Sequence, residues 1–336
     1  MEEVAIITDS KSPGFQFAKG IYNYLKRKEN PEFSVSLVEL EKTTFKDGEF
    51  KIKIAENIRG KNCFIIHDSN KPPTTWFTEL IFALEATTFS SPKEVNIVLP
   101  YTRFARQERK DESRVSVNAK ALADTVSLYA TRGLTVDLHA PQIQEYFGIP
   151  FDNLYSVASL INYLRKHHPE MLENLVLVSP DLGGAKSVEY LVKIFQKMGI
   201  KTKIALGHKV REKANEITKS VIIGDVEGRN CLIIDDIIDT GGTMTLTAKK
   251  LREKGANKIY AYATHCLFTE GIKKFQVFDK IIVSDTLNTP PAPNKETLSL
   301  VNLFGEAIYR TATGQSLSIL FEDSQIDQHS LEKYEI

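Results

Sequence analysis

Short runs of β-branched and other apolar residues alternate with longer amphipathic stretches along almost all of this 336-residue chain. That alternation restricts it to parallel sheets wrapped by helices. A first cycle predicts strands at Val4–Thr8, Cys63–His67, Val95–Leu99 and Leu134–Leu138, with helices at Phe15–Lys28, Trp76–Phe89 and Ala119–Ala130. A second cycle of similar length predicts strands at Leu175–Ser179, Thr202–Leu206, Ser220–Ile223, Cys231–Ile234, Lys258–Thr264 and Lys280–Ser284, with helices at Gly184–Met198 and Met244–Lys254. The chain is longer than one core usually serves. The expectation is therefore two α/β domains, 1–155 and 156–321, each a mainly parallel sheet flanked by helices and related by an apparent duplication. Residues 286–297, TLNTPPAPNKET, read as an ordinary loop, and 322–336 as a mobile polar tail.

Composition narrows the partners. Lysine plus arginine and aspartate plus glutamate each total 43, so the formal charge is zero and nothing favours a broad surface for nucleic acid. Cys63, Cys231 and Cys266 lie in or beside apolar runs without C-x-x-C spacing, the pattern of buried reduced thiols. The opening MEEVAIITDSKSPG runs straight into a strand and resembles no signal or transit peptide. No apolar run approaches the ~20 residues that cross a bilayer. A soluble, cytoplasmic protein with no membrane partner is expected.

The segment CLIIDDIIDTGGTM, residues 231–244, carries the most chemical information. An acidic turn is most often only a solvated turn. Here the acidic cluster follows a doubly buried strand and precedes a helix, the place where ligands sit in open α/β sheets. Asp239-Thr240-Gly241-Gly242-Thr243 offers small residues whose backbone N–H groups can converge on one anion at a helix amino terminus, a phosphate cradle. Asp235 and Asp236, as ionised acceptors, suit ribose hydroxyls or the waters of a magnesium ion.

Three further segments fit a phosphate-handling protein. PYTRFARQERKDESR, residues 100–114, concentrates Arg103, Arg106, Arg109, Lys110 and Arg114 after a strand, and arginine grips phosphate oxygens with paired donors. Its Tyr101 and Phe104 are candidates to pack against a base. His139 in VDLHAPQIQEYF and Asp181 in VSPDLGGAK each follow a buried strand, and an imidazole and a carboxylate are enough for a hydrated magnesium ion. Gly183 and Gly184 would let backbone approach a ligand. In GHKVREKANEI, residues 207–217, Lys209, Arg211 and Lys213 alternate and would share one face of an extended hairpin, a flap able to close over polyphosphate.

Together with GDVEGRNCLIIDDIIDTGGT and ATHCLF, these segments stand in the order and spacing of the ribose-phosphate pyrophosphokinases, which the chain resembles from residue 4 to about 321. The resemblance implies two phosphoribosyltransferase-like domains and transfer of the β,γ-diphosphate of MgATP to ribose 5-phosphate. It implies that Asp235, Asp236, Asp239, Thr240, Gly241, Gly242 and Thr243 hold the sugar phosphate. His139 and Asp181 would take Mg2+, and Lys209 and Arg211 would be the flap cations. Arg106 and Gln107 would bind ATP, with Phe45, Asp47 and Glu49 of FKDGE reaching the adenine from a neighbouring subunit. Members usually form hexamers built from dimers, so a homo-oligomer is expected.

The sequence departs from the family where many members bind activating phosphate. Asn57, Glu112 and Pro141 stand where serines and a lysine are usual, although Arg59, Ser113, Arg114, Asn153, Ser316 and Ser318 remain. Two rivals are a non-catalytic synthase-associated subunit, which would carry an altered flap or cradle, and a phosphoribosyltransferase, which would have one such domain and no arginine segment.

Overall fold

The computed structural model describes residues 1–210 and 219–321. Arg211, Lys213 and the tail 322–336 lie outside the described residues, as does the side chain of Lys209. The chain forms two compact units, residues 1–155 with 286–288 and 300–321, and residues 156–285 with 289–299.

In the first unit the chain runs β1 (Glu2–Thr8), α1 (Phe15–Lys26), β2 (Phe33–Thr44), β3 (Phe50–Ile54), β4 (Asn62–Ile66), α2 (Pro73–Thr88), β5 (Glu94–Leu99), α3 (Asn118–Ser127), β6 (Arg132–Val136) and β7 (Phe151–Leu154). The sheet order is β3-β2-β1-β4-β5-β6-β7. All neighbours pair in parallel except β2 and β3, which form an edge hairpin. The central strands are buried on both faces, so they read as unbroken apolar runs.

The second unit runs α4 (Val157–His167), β8 (Leu175–Ser179), α5 (Ala185–Lys197), β9 (Lys203–Val210), β10 (Lys219–Ile223), β11 (Asn230–Ile238), α6 (Gly242–Glu253), β12 (Lys258–Cys266), β13 (Lys280–Ser284) and β14 (Lys295–Leu298). Its order, β10-β9-β8-β11-β12-β13-β14, repeats the first position for position, with β9 and β10 as the antiparallel edge hairpin. The duplication, weak at the level of residues, is plain in the topology. Residues 286–297 are less of a loop than expected, because Lys295–Leu298 adds the edge strand β14 beside β13.

The expected second domain, 156–321, is corrected at its end. The helix α7 (Val301–Ala312) packs on α1 and belongs to the first unit. The two helices approach closely at glycines: a Cβ on Gly305 would lie 2.5 Å from Tyr24 Cδ1, and one on Gly20 would lie 2.8 Å from Val301 Cγ2. Glu306, 1% exposed, locks the pair. It accepts a hydrogen bond from Tyr24 Oη at 2.7 Å and is paired with Lys28 at 2.7 Å and Arg310 at 2.8 Å.

All three cysteines are free and buried, and burial pushes the thiols of Cys63 and Cys231 up to about 12, so they are inert. Among the described residues no helix is long and apolar enough to cross a membrane.

Burial alone would raise the Glu306 carboxyl, but the bonds from Lys28 and Tyr24 outweigh it and hold it below the ordinary value of 4.5. Its contribution to stability is therefore complete above that value and is lost as pH falls through the lowered one. Glu306→Gln is expected to cost about 3 kcal/mol near neutral pH, the scale for removing one member of a buried ionic cluster. Urea midpoints of parent and variant should differ at pH 7 and converge in acid; equal midpoints at pH 7 contradict this role.

Candidate active site

In the second unit the strand order reverses between β8 and β11, because β8 leads to β9 on one side and β11 leads to β12 on the other. Such a reversal opens a crevice at the carboxyl ends of the two strands. The register shows how it opens. β11 pairs with β8 only as far as Ile233, opposite Val178, but with β12 as far as Ile238. The strand is longer than the predicted Cys231–Ile234, so Asp235 and Asp236 belong to β11 itself, on the stretch that has outrun β8.

The cradle follows directly. Gly241 adopts a left-handed turn at φ +74, and α6 starts at Gly242 without a side-chain cap. The Gly242 N–H makes only a long 3.5 Å bond to Thr240 Oγ1, so an anion with better geometry would displace it. Behind the turn stands Phe275: a Cβ on Gly241 would fall 2.0 Å from its Cζ. Asp239 is held by Thr269, whose Oγ1 donates to Oδ1 at 2.6 Å.

The loop after β8 forms the opposite wall. Asp181 is exposed, its Oδ1 accepts the Gly184 N–H at 3.0 Å, and its backbone carbonyl accepts from Ser179 Oγ at 2.6 Å. Gly207 on β9 lies so near that a Cβ there would be 2.6 Å from the Pro180 carbonyl, which also accepts from Thr247 Oγ1 at 3.3 Å. Burial first, then the charges of Asp236 and Asp181, raise the Asp235 carboxyl well above the ordinary aspartate range. These oxygen donors share one field that a cation would relieve. Among the described residues no group of three or more His, Cys, Asp or Glu side chains converges on a metal position.

In the first unit the arginine segment divides into two parts. Arg103 donates from Nε and Nη2 to the Ser69 carbonyl at 3.0 and 2.5 Å and lies over the Tyr101 ring, so it is a structural brace. Tyr101 is buried, and Phe104, at φ +65, packs on Trp76 and Phe77. The idea that these rings take a base is corrected: both serve the unit's interior. Arg106 and Arg109 are exposed, and Gln107 is half-buried with Nε2 donating to the Arg109 carbonyl and Asp111. His139 is exposed in the loop after β6, beside Leu138, whose N–H donates to Asn153 Oδ1 at 3.0 Å. Tyr146 Oη donates to the Glu108 carbonyl at 2.7 Å, tying the His139 segment to the arginine segment.

Phe45, Asp47 and Glu49 sit at the tip of the β2–β3 hairpin, all exposed, with Phe45 at 50%. The tip closes through Phe45 N–H to Glu49 O at 2.7 Å and Gly48 at φ +95. Lys209 lies on β9 at the corresponding hairpin of the second unit; Arg211 follows outside the described residues. Thr269, Phe275, Tyr146 and Asn153, which brace the segments carrying the candidate residues, are not legible in that role from the sequence. Each acts across a long sequence separation, and only the aromatic character of Phe275 and Tyr146 hinted at a buried role.

Two seven-stranded, mainly parallel sheets flanked by helices place the chain in the phosphoribosyltransferase-like class of α/β folds. Residues 5–128 match the model of the N-terminal domain of ribose phosphate pyrophosphokinase, and 197–322 match that of the phosphoribosyl synthetase-associated domain. The chain is 40% identical over 331 residues to the ribose-phosphate pyrophosphokinase of Chlorobaculum tepidum, covering 97% of each. It is 39% identical to that of Listeria ivanovii, covering 87% of this chain and 92% of the relative. A crystal structure of phosphoribosylpyrophosphate synthetase from Mycobacterium smegmatis superposes with a TM-score of 0.81 at 27% identity, over 93% of this chain and all of the other. The chain belongs to the ribose-phosphate pyrophosphokinase family.

Gly241→Ala is expected to cost about 2–4 kcal/mol, combining a left-handed alanine with overpacking against Phe275. Gly242→Ala meets nothing nearer than Thr240 Oγ1 at 3.9 Å and is expected to leave the thermal midpoint almost unchanged. Equal midpoints for the two variants would contradict the buttressed turn.

Proposed function

We propose that this chain is an active ribose-phosphate diphosphokinase, transferring the β,γ-diphosphate of ATP to the C1 hydroxyl of ribose 5-phosphate to give phosphoribosyl pyrophosphate and AMP. The observation that carries the reading is the intact crevice of the second unit: an uncapped helix start, a left-handed glycine, and carboxylates on a strand edge freed from its neighbour. A non-catalytic relative would be expected to have lost one of these.

In this reading the N–H groups of residues 240–243 take the 5-phosphate, and Asp235, Asp236 and Asp239 orient the ribose hydroxyls. Arg106 and Gln107 bind ATP. Phe45, Asp47 and Glu49 serve the adenine of a neighbouring copy in a homo-oligomer, and the half-exposed ring of Phe45 at a polar tip supports that use. The C1 oxygen attacks the β-phosphorus in line, the α,β-bridging P–O bond breaks, AMP leaves, and the hydroxyl proton passes to solvent. Little covalent assistance is needed, so positioning and charge carry the catalysis. Lys209 and Arg211 supply cations where charge develops. His139 in the first unit and Asp181 in the second are each candidate ligands for Mg2+, which when bound would neutralise the phosphates. The free, buried cysteines are in keeping with a cytoplasmic location.

Purified protein is expected to form AMP from ATP only when ribose 5-phosphate and magnesium are both present; no AMP under any condition would favour the synthase-associated subunit instead. Arg211→Ala should lower kcat by about 10³-fold, by analogy with arginine fingers, and a change below about tenfold would remove Arg211 from the mechanism. Glu112 is exposed where many members carry a cation, so activity is expected to respond weakly or not at all to inorganic phosphate. Strong phosphate dependence in the same assay would contradict that expectation.

A further inference from the structure

The loop after β12 grips the end of β11 at four points. Leu267 N–H donates to the Ile238 carbonyl at 2.7 Å, Phe268 N–H to the same oxygen at 3.4 Å, and Thr269 N–H to the Asp239 carbonyl at 3.2 Å. The fourth is the 2.6 Å bond from Thr269 Oγ1 to Asp239 Oδ1. Asp239 is therefore held by the same residue through main chain and side chain. The grip requires Phe268 at φ +48, an unfavourable conformation for a residue with a Cβ. Packing offsets the strain, because Phe268 meets Phe275 edge-on at 5.0 Å. The Phe275 ring also backs Gly241, so one aromatic couples the loop to the cradle.

We propose that Thr269 is a positioning residue for the sugar-phosphate site, fixing the plane of the Asp239 carboxylate so that it meets the ribose hydroxyls already oriented. The inference rests on the functional reading given above. An aspartate in a loop has two side-chain rotations to lose when it accepts a hydrogen bond from a ligand, and a donor that holds Oδ1 beforehand removes part of that cost. A hydroxyl donating to an ionised carboxylate is among the stronger neutral-to-charged hydrogen bonds. Thr269 is exposed and Asp239 only half-buried, so the bond is not one that a fully buried group requires. Thr269 touches no substrate in this account; it acts through Asp239.

The test compares parent, Thr269→Val and Thr269→Ser in the full chain. Valine keeps the shape and removes the donor; serine keeps the donor. Thr269→Val is expected to raise KM for ribose 5-phosphate about fivefold, with KM for ATP and the thermal midpoint unchanged, and Thr269→Ser to stay within about twofold of the parent. An unchanged KM for ribose 5-phosphate in Thr269→Val overturns the inference. So does a joint loss of kcat, both KM values and thermal midpoint, which would make Thr269 a structural residue. An inactive parent would instead overturn the functional reading. In that event calorimetric titration with ribose 5-phosphate still decides, weaker binding to Thr269→Val than to parent supporting the inference and equal binding overturning it.

Discussion

The site depends on a mismatch of strand lengths. β8 stops pairing with β11 at Val178, while β11 continues beside β12 for five residues more, to Ile238. The edge so exposed lies where the sheet's connections diverge, and right-handed crossovers send the following helices to opposite faces. Peptide groups and carboxylates that would otherwise be enclosed become available to a ligand. The left-handed turn at Gly241 then aims the start of α6 into the same space, and Phe275, Thr269 and Thr247 hold the walls.

The duplicated topology makes the first unit an internal comparison. Its sheet also reverses, between β1 and β4, and the loops after those strands, residues 9–14 and 67–72, are the counterparts of the Asp181 loop and of the cradle, respectively. They have been put to other use. Lys71 bridges Asp9 at 2.9 Å and Glu79 at 2.6 Å, and Glu79 also pairs with Lys42 at 2.6 Å. Asn288 closes the two loops together, its N–H donating to Asn70 Oδ1 at 2.6 Å and its Nδ2 to the Pro13 carbonyl at 2.8 Å. Ion-paired side chains and Asn288 thus tie the first unit's loops to one another. Its candidate ligand-binding residues stand instead after β5 and β6 and on the edge hairpin.

Much of this was legible in the sequence, and what was not has physical causes. Buried central strands announce themselves as apolar runs, and the cradle as an acidic cluster joined to small residues. β2 alternates visibly in FSVSLVELEK, yet as an edge-region strand with polar residues interleaved along it, it forms no unbroken apolar run, and neither does its partner β3. β14 hides behind Pro-rich TLNTPPAPNKET because its four residues draw their pairing from β13, not from their own pattern. The placement of α7 on α1 depends on glycines and a buried glutamate far apart in sequence, so no local reading assigns it to the first unit. Tyr101 and Phe104 drew attention as aromatics near arginines, whereas packing had already claimed them. Thr269 gives no signal, since its meaning lies in its bonds to Asp239, 30 residues away in sequence.

Hydrogen exchange measured by mass spectrometry, with and without ribose 5-phosphate, tests most directly the claim that the β8/β11 crevice alone holds the sugar phosphate. The account predicts slowed exchange in peptides spanning residues 239–245 and none in those spanning 9–14 and 67–72. Protection in the first unit's loops, or no protection at 239–245 under saturating ligand, would contradict it.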